Sequence, residues 1–231
     1  FAKAGWHVVI HYNSSADAAE DLAAELASAE TVRADLCDDD AGTEMVAQLA
    51  PRLADWRALI NCASVFEADD VTALDPAINR RAMQINARAP ALLAQAYLRH
   101  ARSKAGRHVV QVTDQKLANP NPDFFSYTMS KHALDATIAM LAMGAAREDD
   151  RIYGLAPGAI LASHDQSPEE AERSHRMNLL GRRTTAEEVA DAAVFLASGH
   201  LASGLTLYVD SGQHLLRQER DVIYLAREQA G

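Results

Sequence analysis

"RHVVQVTDQKLANPNPDFFSYTMSK", residues 107–131, holds a strand, a loop and the start of a helix in one stretch. Its first seven residues form the nearly continuous apolar run of a strand buried on both faces of a parallel sheet. The run ends at Thr113 and Asp114, and a carboxylate at the mouth of a buried strand is costly unless it is paired or used. Tyr127 follows thirteen residues later and Lys131 four after that, which places both on one helix face. A lysine ammonium beside a phenol favours phenolate and lowers its pKa from about 10. That predicts a usable proton donor and acceptor. Alone, the Tyr-x-x-x-Lys spacing is weak evidence, because a solvated helix pair has the same spacing.

Working outward, similar runs at 6–12, 31–36, 57–63, 151–157 and 205–210 predict five further strands. Between them, Ser14 and Ser15 open a helix to about Ala29, and another covers Ala41 to Leu53. Long helical patterns run over 76–102 and 127–147. Shorter ones cover 168–180 and 185–198, the last with an N-cap signal in TTAEE. Strict alternation predicts an α/β fold, a doubly wound parallel sheet in a single domain over 1–231. Such sheets bind ligands outside the carboxyl ends of their strands. That rule selects His11, Asn13, Ser14 and Ser15, then Asp35 and Leu36, then 61–66 with Asn61, Ala63, Ser64 and Phe66, then Thr113 and Asp114, and last Pro157 and Gly158. The opening FAKAGWHVVIHY reads as a last helical turn, a Gly stop at Gly5 and a strand. The chain is therefore expected to begin inside a fold, with an element or two upstream.

The 231 residues carry a formal net charge of −10 and no basic tract. That argues against nucleic-acid backbone binding and against adhesion to an anionic membrane. No stretch reaches the roughly 18 apolar residues of a membrane span, so a cytoplasmic protein is expected. Cys62, inside ALINCAS, is expected to be a buried free thiol, and the nine histidines show no metal-ligand spacing. No metal site is expected. Residues 161–178 read as a mobile, charged lid whose His164 and His175 lie at the surface. Asn86 in MQINARAP is a polar outlier in a long apolar helix, where it either caps a kink or feeds a polar network.

NCAS at 61–64, Asn86, YTMSK at 127–131, LAPG at 155–158 and YVDSG at 208–212 together resemble the short-chain dehydrogenase/reductase family. The resemblance covers essentially the whole chain and implies a Rossmann-like fold. The family's Gly-rich turn and first strand would stand just before Phe1, and this stretch lacks them. In the family that turn holds the cofactor's pyrophosphate at a helix N-terminus. Where the family places its catalytic serine this chain has Asp114, and an ionised carboxylate only accepts hydrogen bonds. Either the site is degenerate, or the substrate presents N–H donors or a nitrogen that needs a proton.

The second possibility matches a branch. VTD with YTMSK resembles the pteridine reductases and bacterial dihydromonapterin reductases, whose triad is Asp, Tyr, Lys. HYNSSADA agrees with that branch, NCASVF places Phe66 where those enzymes stack a pterin on the nicotinamide, and SGQHLLR places Arg217 near the site entrance. The resemblance implies Asp114, Tyr127, Lys131 and Asn86 as catalytic residues, with Asn86 steadying a water chain behind Lys131. It implies Phe66, Asp114, Tyr127 and Arg217 at the substrate. The cofactor would rest on His11, Asn13, Ser14, Ser15, Asp35, Leu36, Asn61, Ala63, Ser64, Tyr127, Lys131, Pro157 and Gly158. No acid precedes Asp17 at the first strand's end, which favours NADPH, since an acid there would repel a 2′-phosphate. Ser14 and Ser15 are equally readable as plain N-caps. The family's threonine after the Pro-Gly turn is here Ala162, and Cys62 replaces an amide that usually braces the sheet. The expected activity is reduction of a dihydropterin by a homotetramer. A ketone or 3-oxoacyl reductase, a nucleotide-sensing protein without turnover, and an inactive fragment stay open.

Overall fold

The computed structural model describes residues 1–163 and 165–229. A short 3-10 turn, Ala2–Ala4, stops at Gly5, whose left-handed φ of 82° lets the chain reverse into the first strand. In chain order follow β1 (Val8–Tyr12), α1 (Ala16–Glu25), β2 (Ala29–Arg33), α2 (Ala41–Leu49), β3 (Ala58–Asn61), α3 (Pro76–Met83), a π turn (Gln84–Arg88) and α4 (Ala89–His100). Then come β4 (His108–Val112), α5 (Phe125–Gly144), β5 (Arg151–Pro157), α6 (Pro168–Ser174), α7 (Ala186–Ala197), β6 (Thr206–Val209) and α8 (Val222–Glu228).

All strand pairs are parallel, in the order β1-β2 and β3-β4-β5-β6. The expected single sheet is thus divided. Among the described residues no strand joins β1 to β3, and a groove of about 1110 Å³ lies there, lined by Val9, Val32, Leu59 and Ile60 among others. Double winding is visible in side-chain alternation, since successive strand residues point to opposite faces. Val109 and Ile152 pack with Tyr97 of α4 and Ile138 of α5. Their neighbours Val110 and Tyr153 pack with Ala193 and Leu196 of α7.

Several boundaries differ from expectation. The second strand begins at Ala29, paired with Val8, so α1 stops at Glu25. Pro51 has no N–H to continue α2, which ends at Leu49. The long 76–102 helix is broken by a π turn whose closing bond runs from the Ala89 N–H to the Gln84 carbonyl. Pro90 has no donor for the Asn86 carbonyl four residues back, which favours that wider turn. Thr185 and Glu188 form the anticipated capping box of α7. The helix expected over 168–180 starts at Pro168, boxed by Ser167 and Glu170, but α6 ends at Ser174. Within residues 161–178, His175 is buried, contrary to its expected surface position, and His164 lies outside the described residues. Helix α8, capped by Asp221, was not anticipated. Among the described residues, no helix is long and apolar enough to cross a membrane.

Candidate active site

The strand β4 delivers Asp114 at its carboxyl end, and α5 delivers Tyr127 and Lys131 one turn apart. Tyr127 Oη donates to Asp114 Oδ2 at 2.7 Å, while Asp114 Oδ1 accepts the Lys116 N–H at 2.8 Å. The carboxylate is therefore paired as well as poised. Lys131 Nζ donates to the Val112 carbonyl at 2.9 Å and sits 5.6 Å from the Tyr127 ring centroid.

The electrostatics depart from the simple lysine–phenol expectation. Burial pushes the Tyr127 phenol well above its usual range, and the Asp114 carboxylate pushes it the same way. Burial also raises Asp114 and lowers Lys131. Desolvation is the largest influence on each of the three groups, so within the Asp114–Tyr127 pair the phenol keeps its proton. Such a pair can deliver one to a substrate atom placed against it.

Helix α5 is held at its first turn from outside. Phe124, the residue before it, has a left-handed φ of 52°, uncommon and strained for a bulky side chain. Asp69 supplies the cap that Phe124 cannot: its Oδ1 takes the Ser126 N–H at 2.9 Å and its Oδ2 takes the Ser126 hydroxyl at 2.5 Å. The result is an aromatic wall. Phe66 stacks on Phe124 with centroids 4.0 Å apart and meets Tyr127 edge-on at 4.7 Å. Tyr224 of α8 stacks on Phe124 from further out, at 5.8 Å.

Asn86, in the π turn, does more local work than the water chain expected of it. Its Oδ1 accepts the Val65 N–H at 2.8 Å and its Nδ2 donates to the Val65 carbonyl at 2.9 Å. The same Nδ2 reaches Ser130 Oγ at 3.0 Å. The amide thus clamps the loop that carries Phe66 to the helix that carries Tyr127. Asn61 is buried, with Nδ2 spent on the Pro90 carbonyl and on Gln111 Oε1 at 3.1 and 2.9 Å. That pairing with Gln111 braces β3 against β4 where an amide at position 62 is missing. Cys62 itself is exposed rather than buried, because it lies beyond the last residue of β3. Ala63 and Ser64 are exposed beside it, and Pro157 and Gly158 stand at the carboxyl end of β5, on the far side of β4. Gly158 has a packing reason to be glycine, since a Cβ there would meet Gln213 Oε1 at 2.6 Å and Asp210 Cβ at 2.8 Å.

A second group gathers at the ends of β1 and β2. Asn13, Ser14 and Ser15 are exposed, and Ser15 opens α1 without spending its hydroxyl on a cap. Arg33 Nε donates to the Asn13 carbonyl at 3.1 Å, bringing an exposed guanidinium to this loop. Arg33 was missed in the sequence because it lies inside an apolar run twenty residues away, and only strand pairing brings it here. Asp35 is exposed and caps the Cys37 N–H at 2.9 Å. Leu36 is a core residue, which leaves only its backbone for a ligand. His11 is tied to the Ala34 carbonyl at 2.9 Å, a brace between the two strand ends. Arg217 is exposed and makes no ion pair among the described residues. Arg220 Nε lies 2.8 Å from Asp123 Oδ2, and its guanidinium stands 4.9 Å from the Tyr224 ring centroid. Phe124, Asp69, Lys116 and Tyr224 carried no motif and were also missed.

Comparison with known proteins agrees with this geometry. A family model described as enoyl-(acyl carrier protein) reductase matches residues 1–214. An uncharacterized oxidoreductase, YmfI, of Bacillus subtilis is 27% identical over 223 residues, 92% of this chain and 90% of the relative. A dihydromonapterin reductase of Escherichia coli is 25% identical over 219 residues, 91% of this chain and 90% of the relative. Among solved structures, FolM alternative dihydrofolate reductase 1 from Brucella suis, in complex with NADP, superposes with a TM-score of 0.86 at 33% identity. That match covers 94% of this chain and 88% of the other. A parallel α/β sheet, a tyrosine and lysine one helical turn apart, and a family match over nearly the whole length lead to one conclusion: the chain belongs to the short-chain dehydrogenase/reductase family of NAD(P)-dependent oxidoreductases.

Proposed function

We propose that the protein is a cytoplasmic NADPH-dependent reductase that converts a dihydropterin to the tetrahydropterin. The observation that carries the reading is the Asp114 carboxyl bonded to the Tyr127 phenol at 2.7 Å, in a position where the family pattern has a hydroxyl. A carboxyl there suits a substrate rich in N–H donors, and the phenol beside it suits a ring nitrogen that takes up a proton. Dihydromonapterin reductase among the relatives supports the substrate class.

The residues present fit the two ends of the cofactor. Arg33 with the free Ser15 hydroxyl would receive the 2′-phosphate, since a guanidinium pairs well with a phosphate. Asn13, Ser14 and Asp35 would line the adenosine end, with the Leu36 backbone beneath. Lys131, Tyr127, Ala63, Ser64, Pro157 and Gly158 would surround the nicotinamide end, and His11 and Asn61 would support the two ends from behind. When bound, the nicotinamide supplies the hydride. The protein's own part is to hold the flat ring against the exposed portion of Phe66 and keep Tyr127 protonated through burial and Asp114. Clamping both in register falls to Asn86, and Arg217 would stand at the entrance.

Exposed apolar residues on α5 support a homotetramer: Met140 and Met143 are 58% and 81% exposed. The test is NADPH oxidation by the full-length protein with dihydromonapterin and dihydrobiopterin, repeated with NADH. Turnover with either pterin and a preference for NADPH is expected. Turnover of a β-keto ester with none of either pterin overturns the reading in favour of an acyl or ketone substrate.

A further inference from the structure

Lys116, two residues past Asp114, has a side chain only 4% exposed, and its Nζ lies 2.8 Å from Asp221 Oδ2, itself 8% exposed. The ammonium also donates to Asn121 Oδ1 at 2.8 Å and to the Asp123 carbonyl at 3.4 Å. Lysine is almost never buried this deeply unless paired. Such a pair is weak grounds for stability, because desolvation offsets the attraction, but it selects one register of the parts it joins. The parts here are the catalytic loop and the C-terminal helix. Asp221 caps α8 through the Ile223 N–H at 3.0 Å.

Two further rungs lie alongside. Asp123 Oδ2 takes Arg220 Nε and the Asp221 N–H, both at 2.8 Å. Asn119 bonds the Leu216 carbonyl and, at 3.3 Å, the Gln218 N–H. Helix α8 then packs Ile223 and Tyr224 against Phe124, Tyr127 and Phe66. Helix α6 is joined to it, since Arg227 pairs with Asp165 at 3.0 Å and Glu170 at 3.4 Å and Arg173 Nε reaches the Ala226 carbonyl at 3.3 Å. The two helices form one cap.

We propose that Lys116 is a positioning residue whose buried pair with Asp221 latches the α6–α8 cap against the aromatic wall and so sets the site's affinity for a flat ring substrate. Lys116 suits that role because one residue touches both sides: its N–H holds the Asp114 carboxyl and its ammonium holds the cap. The proposal rests on the dihydropterin reading only for the identity of the substrate.

The variants are Lys116→Met, Lys116→Arg and Asp221→Asn, the last keeping an acceptor for the α8 cap. Hydrogen exchange on substrate-free protein is expected to speed up in Lys116→Met across 168–177 and 222–228, with α5 and the β3–β6 sheet unchanged. In steady state, KM for the dihydropterin rises about tenfold while kcat and NADPH affinity stay within about threefold, the signature of lost uniform binding. Lys116→Arg recovers part of the KM. Unchanged exchange in the cap, or an equal rise through the whole molecule, overturns the latch, as does a KM that does not move. If Lys116→Met does not fold, Asp221→Asn carries the same two readouts. Wild-type protein inert toward dihydropterins sinks the substrate assignment instead, and the exchange data still decide the latch.

Discussion

At the scale of the residue, the informative position is Asp114, because its environment and its partner pull in different directions. Tyr127→Phe removes the phenolic proton and is expected to cut kcat by about 10²–10⁴ while NADPH binding, read by fluorescence titration, is retained. Asp114 adds a pH signature. Its carboxyl is held above the ordinary range by burial. Above that range the unfolded chain releases a proton that the folded chain keeps, so stability falls as pH rises through the folded pKa and the cost persists above it. Asp114→Asn is therefore expected to melt higher than wild type at neutral pH, by roughly 2–4 °C for each kcal/mol relieved. The gain should vanish below the usual carboxylate range. Equal melting at both pH values would show that the carboxyl is not strained. The position of Asp114 relative to Tyr127 was legible in the sequence because both are set by one strand and one helix. The direction of the phenol's shift was not, since burial is a property of everything packed around it.

Among the secondary-structure elements, the start of α5 decides where Tyr127 stands. Asp69 comes from a loop 57 residues earlier in the chain and replaces a cap that Phe124, in its left-handed conformation, does not provide. Asp69→Ala is expected to cost about 1 kcal/mol, the ordinary worth of an N-cap. Its kcat should fall further than that loss of stability explains, because the first turn carries the catalytic phenol. Denaturant melts and steady-state kinetics separate the two. Element existence was legible wherever period and caps agreed, as at Thr185 and Glu188. Boundaries were not legible where a tertiary partner or a proline intervened, as at Ala29, Pro51 and the π turn before Pro90. Helix α8 escaped notice because seven residues carry little periodic signal, and its burial against Phe124 and Tyr127 is a long-range event.

For the molecule as a whole, β4 and β5, the two central strands of the larger sheet, are tied at their amino ends by a buried fork. Arg107 and Asp150, 7% and 0% exposed, make two parallel hydrogen bonds of 2.8 and 2.7 Å. Arg107→Leu leaves Asp150 charged and unpaired, and breaking such a pair costs about 3–5 kcal/mol. Urea unfolding is expected to show a lower midpoint with an unchanged slope. Assembly is tested at the exposed methionines of α5. If α5 forms the tetramer contact, Met143→Glu lowers the mass measured by light scattering, whereas an unchanged mass removes that face from the interface.

The sequence alone determined the order of the six strands and the Tyr127–Lys131 face, because each rests on short-range spacing, and the family was legible through the resemblance of its motifs along the chain. Only the tertiary structure decided which groups meet. It brought Arg33 to Asn13, Asp69 to Ser126, Asn86 to Val65 and Lys116 to Asp221, pairs separated by 20 to 105 positions in the chain. Such pairs leave no periodic trace, because a polar side chain is matched by the geometry of the fold rather than by its neighbours in sequence. The same applies to the protonation of the site. Asp114 and Tyr127 could be named from their motif, but the upward shift of both groups follows from the desolvation that packing imposes.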